Sequence, residues 1–152
     1  MSVNSRRKLM KTVDVERVKA AIAAAEHRTS GEIRVSVSRF FWGNVRRAAE
    51  GAFDRLGITR TRDRNGVLFF IVPARKKFVV LGDEGIHAKV GQEFWDCLAR
   101  LMSGHFRKGE FTEGLVAAIG EAGQQLAAFF PYDAETDVNE LPDDVDFGDK
   151  RG

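Results

Sequence analysis

The chain has 152 residues, 43% of them hydrophobic, with 24 Lys and Arg against 22 Asp and Glu for a formal net charge of +2. That length fits one domain able to bury a core without staples, and the longest unbroken apolar run, Val67–Val72, excludes a membrane-spanning helix, which needs roughly 20 apolar residues. A single cysteine, Cys97, excludes an internal disulfide, and residues 1–11 form a basic, polar segment without the apolar stretch of a secretory leader, so a cytoplasmic setting is expected.

Val15, Val18, Ala21, Ile22 and Ala25 recur at helical spacing, which predicts an amphipathic helix over about Thr12 to Arg28, with Thr12 as its cap and Ser30-Gly31 as its stop. Glu32–Ser38 alternates: Ile33, Val35 and Val37 share one face, while Arg34, Ser36 and Ser38 share the other. This is a strand with one apolar face. Asn44 then caps a second helix whose stripe is Val45, Ala48, Ala49, Ala52, Phe53 and Leu56, closed by Gly57. Gly66–Val72 is apolar throughout, the pattern of a central strand covered on both sides. A tight turn at Pro73–Lys76 leads into a third strand, Lys77–Leu81, which pairs with the second as a hairpin. Gly82-Asp83-Glu84-Gly85 reads as a loop. Two helices come next, over about Gln92–His105 and Thr112–Phe129, and Pro131 ends the second.

The body, 12–132, is thus expected to be a three-layer α/β/α sandwich around a small mixed, mainly parallel sheet that includes one β-hairpin. Residues 133–152 form an acidic tail, with eight acids against Lys150 and Arg151. Residues 1–132 keep 22 basic against 14 acidic residues, so the body carries +8 and the tail −6. The tail is expected to lie on the body and neutralise it, and nucleic acid is not expected as a partner. Leu141, Val145 and Phe147 are the residues able to pin it.

Topology alone brings three polar segments to one edge of the sheet. They are Thr29-Ser30-Gly31-Glu32, Arg62-Asp63-Arg64-Asn65-Gly66 and Gly82-Asp83-Glu84-Gly85. Glu32, Asp63, Asp83 and Glu84, with Asn65 beside them, are hard oxygen donors of the kind that calcium or magnesium requires. The same residues are equally those that make tight turns and caps, and Asp63 and Glu32 have arginines to pair with. Arg62 and Arg64 make a basic loop that either steers phosphate or is simply solvated. His27, His87 and His105 lack metal-ligand spacing, and Cys97 sits mid-helix as a structural thiol. Phe40, Phe41 and Trp42, with Arg46 and Arg47 on the next helix, suit a protein partner, or else fold back onto the core.

These segments resemble the TPM-domain family, named for thylakoid-lumen, photosystem-repair and channel-modulating members. The likeness rests on Thr29-Ser30-Gly31-Glu32-Ile33, Arg64-Asn65-Gly66-Val67-Leu68, Gly82-Asp83-Glu84-Gly85, and Phe106-Arg107-Lys108-Gly109 followed by Gly114-Leu115, all within about 12–132. The ending Asn139-Glu140-Leu141-Pro142-Asp143 is similar to the tail of soluble bacterial members. The resemblance implies an α/β/α sandwich, a divalent cation and, in some members, acid-phosphatase activity. It transfers a site only to Asp63, Asn65, Asp83 and Glu84, with Glu32 nearby. Two functions are compatible with it. One is a cation-binding interaction or assembly module. The other is a metal-dependent phosphatase in which Asp63, Asp83 and Glu84 hold the cation and Arg62 or Arg64 contacts the phosphate.

Overall fold

The computed structural model describes residues 12–39, 43–132 and 144–148. In chain order the described elements are α1 (Val15–Glu26), β1 (Glu32–Val37), α2 (Val45–Arg55), β2 (Gly66–Val72), β3 (Lys77–Gly82), α3 (Glu84–His87), α4 (Gln92–Phe106), α5 (Phe111–Phe129) and β4 (Val145–Asp146). The sheet order is β3-β2-β1-β4. β1 and β2 run parallel from Glu32↔Gly66 to Val37↔Ile71, and β2 and β3 pair antiparallel from Val67↔Gly82 to Val72↔Lys77. The expected sandwich with its mixed sheet and hairpin is therefore what forms.

The sheet separates two apolar layers. Ile33, Val35 and Val37 of β1 and Val67, Phe69 and Ile71 of β2 pack against α1, α4 and α5. Leu68, Phe70 and Val72 face the other way, against Ala49 and Ala52 of α2 and Ile58. β2 alternates between the two layers, which is why every residue of it is buried and why it reads as one apolar run. α1 and α5 approach closely where Gly123 meets Ala25. A Cβ on Gly123 would stand 2.6 Å from that of Ala25.

Three local expectations are corrected. Asp14, not Thr12, caps α1: its carboxylate accepts from the Arg17 N–H (3.2 Å), while its own N–H donates to Thr112 Oγ1 (2.9 Å). The segment read as a loop after β3 contains a one-turn helix, because Asp83 caps it and accepts from the Glu84 N–H (2.8 Å). The polar face of β1 is covered, as a three-layer sandwich requires. Glu32, Arg34 and Ser36 are all buried. Finally, the acidic tail contributes a fourth strand, with β4 parallel to β1 through Val35↔Val145 and Ser36↔Asp146. Phe147 is buried in the α1/α4/α5 layer and Val145 packs against it, so two of the three proposed pins hold, while Leu141 lies outside the described residues. Among the described residues no helix is long and apolar enough to cross a membrane.

Candidate functional site

The three polar segments do converge, and hydrogen bonds stitch them together. The Asp83 N–H donates to Gly66 O (2.9 Å), and the Gly85 N–H donates to Arg64 O (2.9 Å). Asn65 Nδ2 donates to Ser30 Oγ (3.3 Å), and the Asn65 N–H donates to Thr61 Oγ1 (3.2 Å). Thr29 Oγ1 donates to Phe130 O and accepts from the Gly31 N–H, tying the first segment to the end of α5. Gly85 lies so close to the second segment that a Cβ there would collide with the carbonyl oxygens of Asp63 and Arg64, which explains a glycine in this motif.

The carboxylates at this edge fall into different roles. Asp83 is buried, and both of its oxygens are taken by Arg64, through Nε (2.6 Å) and Nη2 (2.8 Å), besides the cap to Glu84. Arg64 reaches it from a left-handed backbone, φ 51°, and its hydrogen bond to Asp83 holds the guanidinium above its ordinary pKa. Glu84 is exposed and lies 3.3 Å from the same guanidinium. Asp63 is exposed and meets Arg62 at 3.5 Å. Asn65 is spent on stitching, and Glu32 is buried at the start of β1. Arg64 is thus a clamp, not a solvated loop residue. The charge that balances Asp83 and Glu84 is this arginine, and among the described residues no three His, Cys, Asp or Glu side chains gather as metal ligands. As folded, Asp83 is committed to Arg64 and to the α3 cap.

Two arrangements were not legible in the sequence. The first is a cleft of about 460 Å³ beside this edge, between α2, the end of β3 and α3. Arg46, Glu50 and Asp54 of α2 and His87 of α3 line it, over Phe53, Leu81 and Gly82. Arg46 and Glu50 stand 4.0 Å apart, and the His87 ring lies 5.1 Å from that of Trp95. A helical repeat at 46, 50 and 54 was the available signal, but nothing local places β3 and α3 opposite it. The second is a clasp on the far edge. Asp146 accepts from Ser36 Oγ (2.8 Å), from Arg55 Nη1 (3.2 Å) and Nη2 (2.8 Å), and from the Gly148 N–H (3.2 Å). Burial alone would raise its pKa, but Arg55, Ser36 and Gly148 outweigh it and hold the carboxyl below its usual value.

Of the aromatic-basic patch, Arg46 and Arg47 are exposed on α2, whereas Phe40, Phe41 and Trp42 lie outside the described residues. Cys97 is half-buried, its Sγ 4.0 Å from Glu121 Oε1 between α4 and α5.

The fold has a known counterpart. No curated protein matches this chain. The solved NMR structure of the BA42 protein from the psychrophilic bacterium Bizionia argentinensis is similar, with 35% identity and a TM-score of 0.84 over 91% of this chain and 94% of that one. The family model described as the TPM domain matches residues 3–125, most of the chain and all three stitched segments, so this chain belongs to the TPM-domain family.

Proposed function

We propose that this TPM domain is a non-catalytic interaction module, that its carboxylate edge is a structural lock, and that its partner surface is the neighbouring cleft. The observation that carries this reading is Asp83. It is the buried carboxylate of the loop after β3, and Arg64 and the α3 cap engage both its oxygens. Phosphoryl transfer needs a nucleophile or an oriented water held in line. Asp63 and Glu84, the exposed carboxylates of the edge, face arginines instead. Calcium or magnesium enters this proposal as an exchangeable counter-ion that takes Asp83 and Glu84 from Arg64, loosening or tightening the lock.

The cleft supports binding by its mixture of surfaces. Phe53 and Leu81 give an apolar floor, and Asp54 sets a carboxylate at its wall beside the Arg46–Glu50 pair. That combination suits an extended protein segment with a basic side chain next to an aliphatic one.

The test compares hydrolysis of p-nitrophenyl phosphate, with calcium or magnesium, by wild type, Asp63→Asn and Asp83→Asn purified alike. Equal background rates are expected. A wild-type rate lost in a folded Asp83→Asn variant would install the phosphatase instead. In parallel, acetyl-Leu-Lys-Leu-Lys-amide titrated by NMR is expected to shift Phe53, Asp54 and Leu81, and Asp54→Lys is expected to abolish the response. Shifts elsewhere would sink the cleft assignment.

A further inference from the structure

The outer edge of β1 lies on the opposite side of the sheet from β3 and the cleft, so a site there stands or falls independently of the cleft and its proposed role. We propose that this edge is a docking site for an extended acidic segment of a partner protein, one carrying an aspartate between an aliphatic and an aromatic residue, and that residues 144–148 occupy it as a self-ligand.

The self-ligand supplies the template. Consecutive residues each find a separate place on the body. Asp144 pairs with Lys19 of α1 (3.3 Å). Val145 pairs with Val35 in the ladder and packs against the core on the α1 side. Asp146 points to the α2 side, where Ser36 and Arg55 bind it. Phe147 returns to the α1 side and is buried there. Main-chain pairing with alternate side chains set into distinct pockets is how sheet edges recognise peptides. The charge of the site selects the occupant. Lys19 and Arg55 flank the edge, one on each face, and both pair with aspartates of the docked segment. Asp146 is deeply placed, its side chain 12% exposed, so a neutral residue there would leave Arg55 and Ser36 to a poor partner. The occupant is joined to α5 through 133–143, and a tethered strand competes at an effective concentration on the order of millimolar. Residues 144–148 therefore gate the site, and an outside segment must outcompete them.

A fluorescein-labelled peptide with the sequence of residues 143–150, Asp-Asp-Val-Asp-Phe-Gly-Asp-Lys, is the probe, read by anisotropy against the full-length chain. Wild type is compared with the double variant Asp146→Ala, Phe147→Ser, in which the tether's own strand is weakened. Saturable binding to the variant is expected, and binding at least about tenfold weaker to wild type, because the intact tail competes. A peptide whose residue matching Asp146 is alanine is expected to lose binding, as is the variant with Arg55→Ala added. Equal binding to both chains, or none to a folded variant, overturns the proposal. Should the variant fail to fold, excess peptide on the wild-type chain is expected to move the NMR signals of Val35, Ser36 and Val145 together, and unmoved signals count against it. A concentration-dependent dimer of the wild-type chain formed through residues 144–148 would assign the edge to a second copy and overturn the partner reading.

Discussion

Asp83 and Asp146 sit at opposite edges of one sheet, and each is gripped by an arginine from elsewhere in the chain, Arg64 nineteen residues away and Arg55 ninety-one away. The first grip bears on cations. Arg64→Ala removes the counter-ion that Asp83 and Glu84 share. Calcium is then expected to raise the melting temperature of Arg64→Ala more than that of wild type, in melts of metal-stripped protein. An equal response in both would remove the competition between arginine and cation. The second grip bears on pH. The folded pKa of Asp146 lies below its unfolded value, so the clasp stabilises the fold above the ordinary aspartate range near pH ~4 and loses that contribution as pH falls through the lower folded value. In urea melts, the stability gap between wild type and Asp146→Asn is expected to be widest at neutral pH and to narrow below pH ~4. A gap that does not change with pH would remove the charge from the account.

At the level of elements, α5 offers an internal control. Gly123 faces Ala25 of α1 at a distance that leaves no room for a methyl group, whereas a Cβ on Gly120 meets nothing within 4 Å. Gly123→Ala is expected to cost about 1–3 kcal/mol by forcing the two helices apart. Gly120→Ala is expected to add up to about 1 kcal/mol through helix propensity, and differential scanning calorimetry on the pair separates the effects. Periodicity made most elements legible. The apolar stripe at 15, 18, 22 and 25, the cap at Asn44 and the unbroken strand Gly66–Val72 all stand as read. So does the convergence of the three loops, a result of two parallel strands and a hairpin. The one-turn α3 escaped because Gly-Asp-Glu-Gly satisfies both a turn and an Asp-capped helix. What Ser36 meets was not legible because it comes from distant chain: Asp146 binds it across 110 positions. The candidate carboxylates do gather at one edge, but which of them an arginine would consume is a matter of side-chain geometry, to which residue type is blind.

For the whole molecule, that separation of 110 positions sets an order of events. Loop closure over so long a stretch is entropically costly, and pairing between ends of the chain tends to come after the central sheet. The clasp is therefore expected to be absent from the folding transition state. Asp146→Ala should speed unfolding and leave the folding rate nearly unchanged in stopped-flow chevrons. A slowed folding arm would place the tail in the nucleus instead.

The two ends of the strand order differ in what they offer to other molecules. β4 is two residues long, carries a buried-side aspartate and is followed by Gly148 in a left-handed conformation, φ 90°. A strand this short, with a charge turned inward and a kink at its end, is a poor template for a further strand. β1 behind it is six residues with three buried aliphatics, Ile33, Val35 and Val37, and would be a good one. By ending the sheet on a short, charged stub, residues 144–148 also guard against aggregation: a chain that has lost them presents an open β1, ready to pair edge to edge with its neighbours.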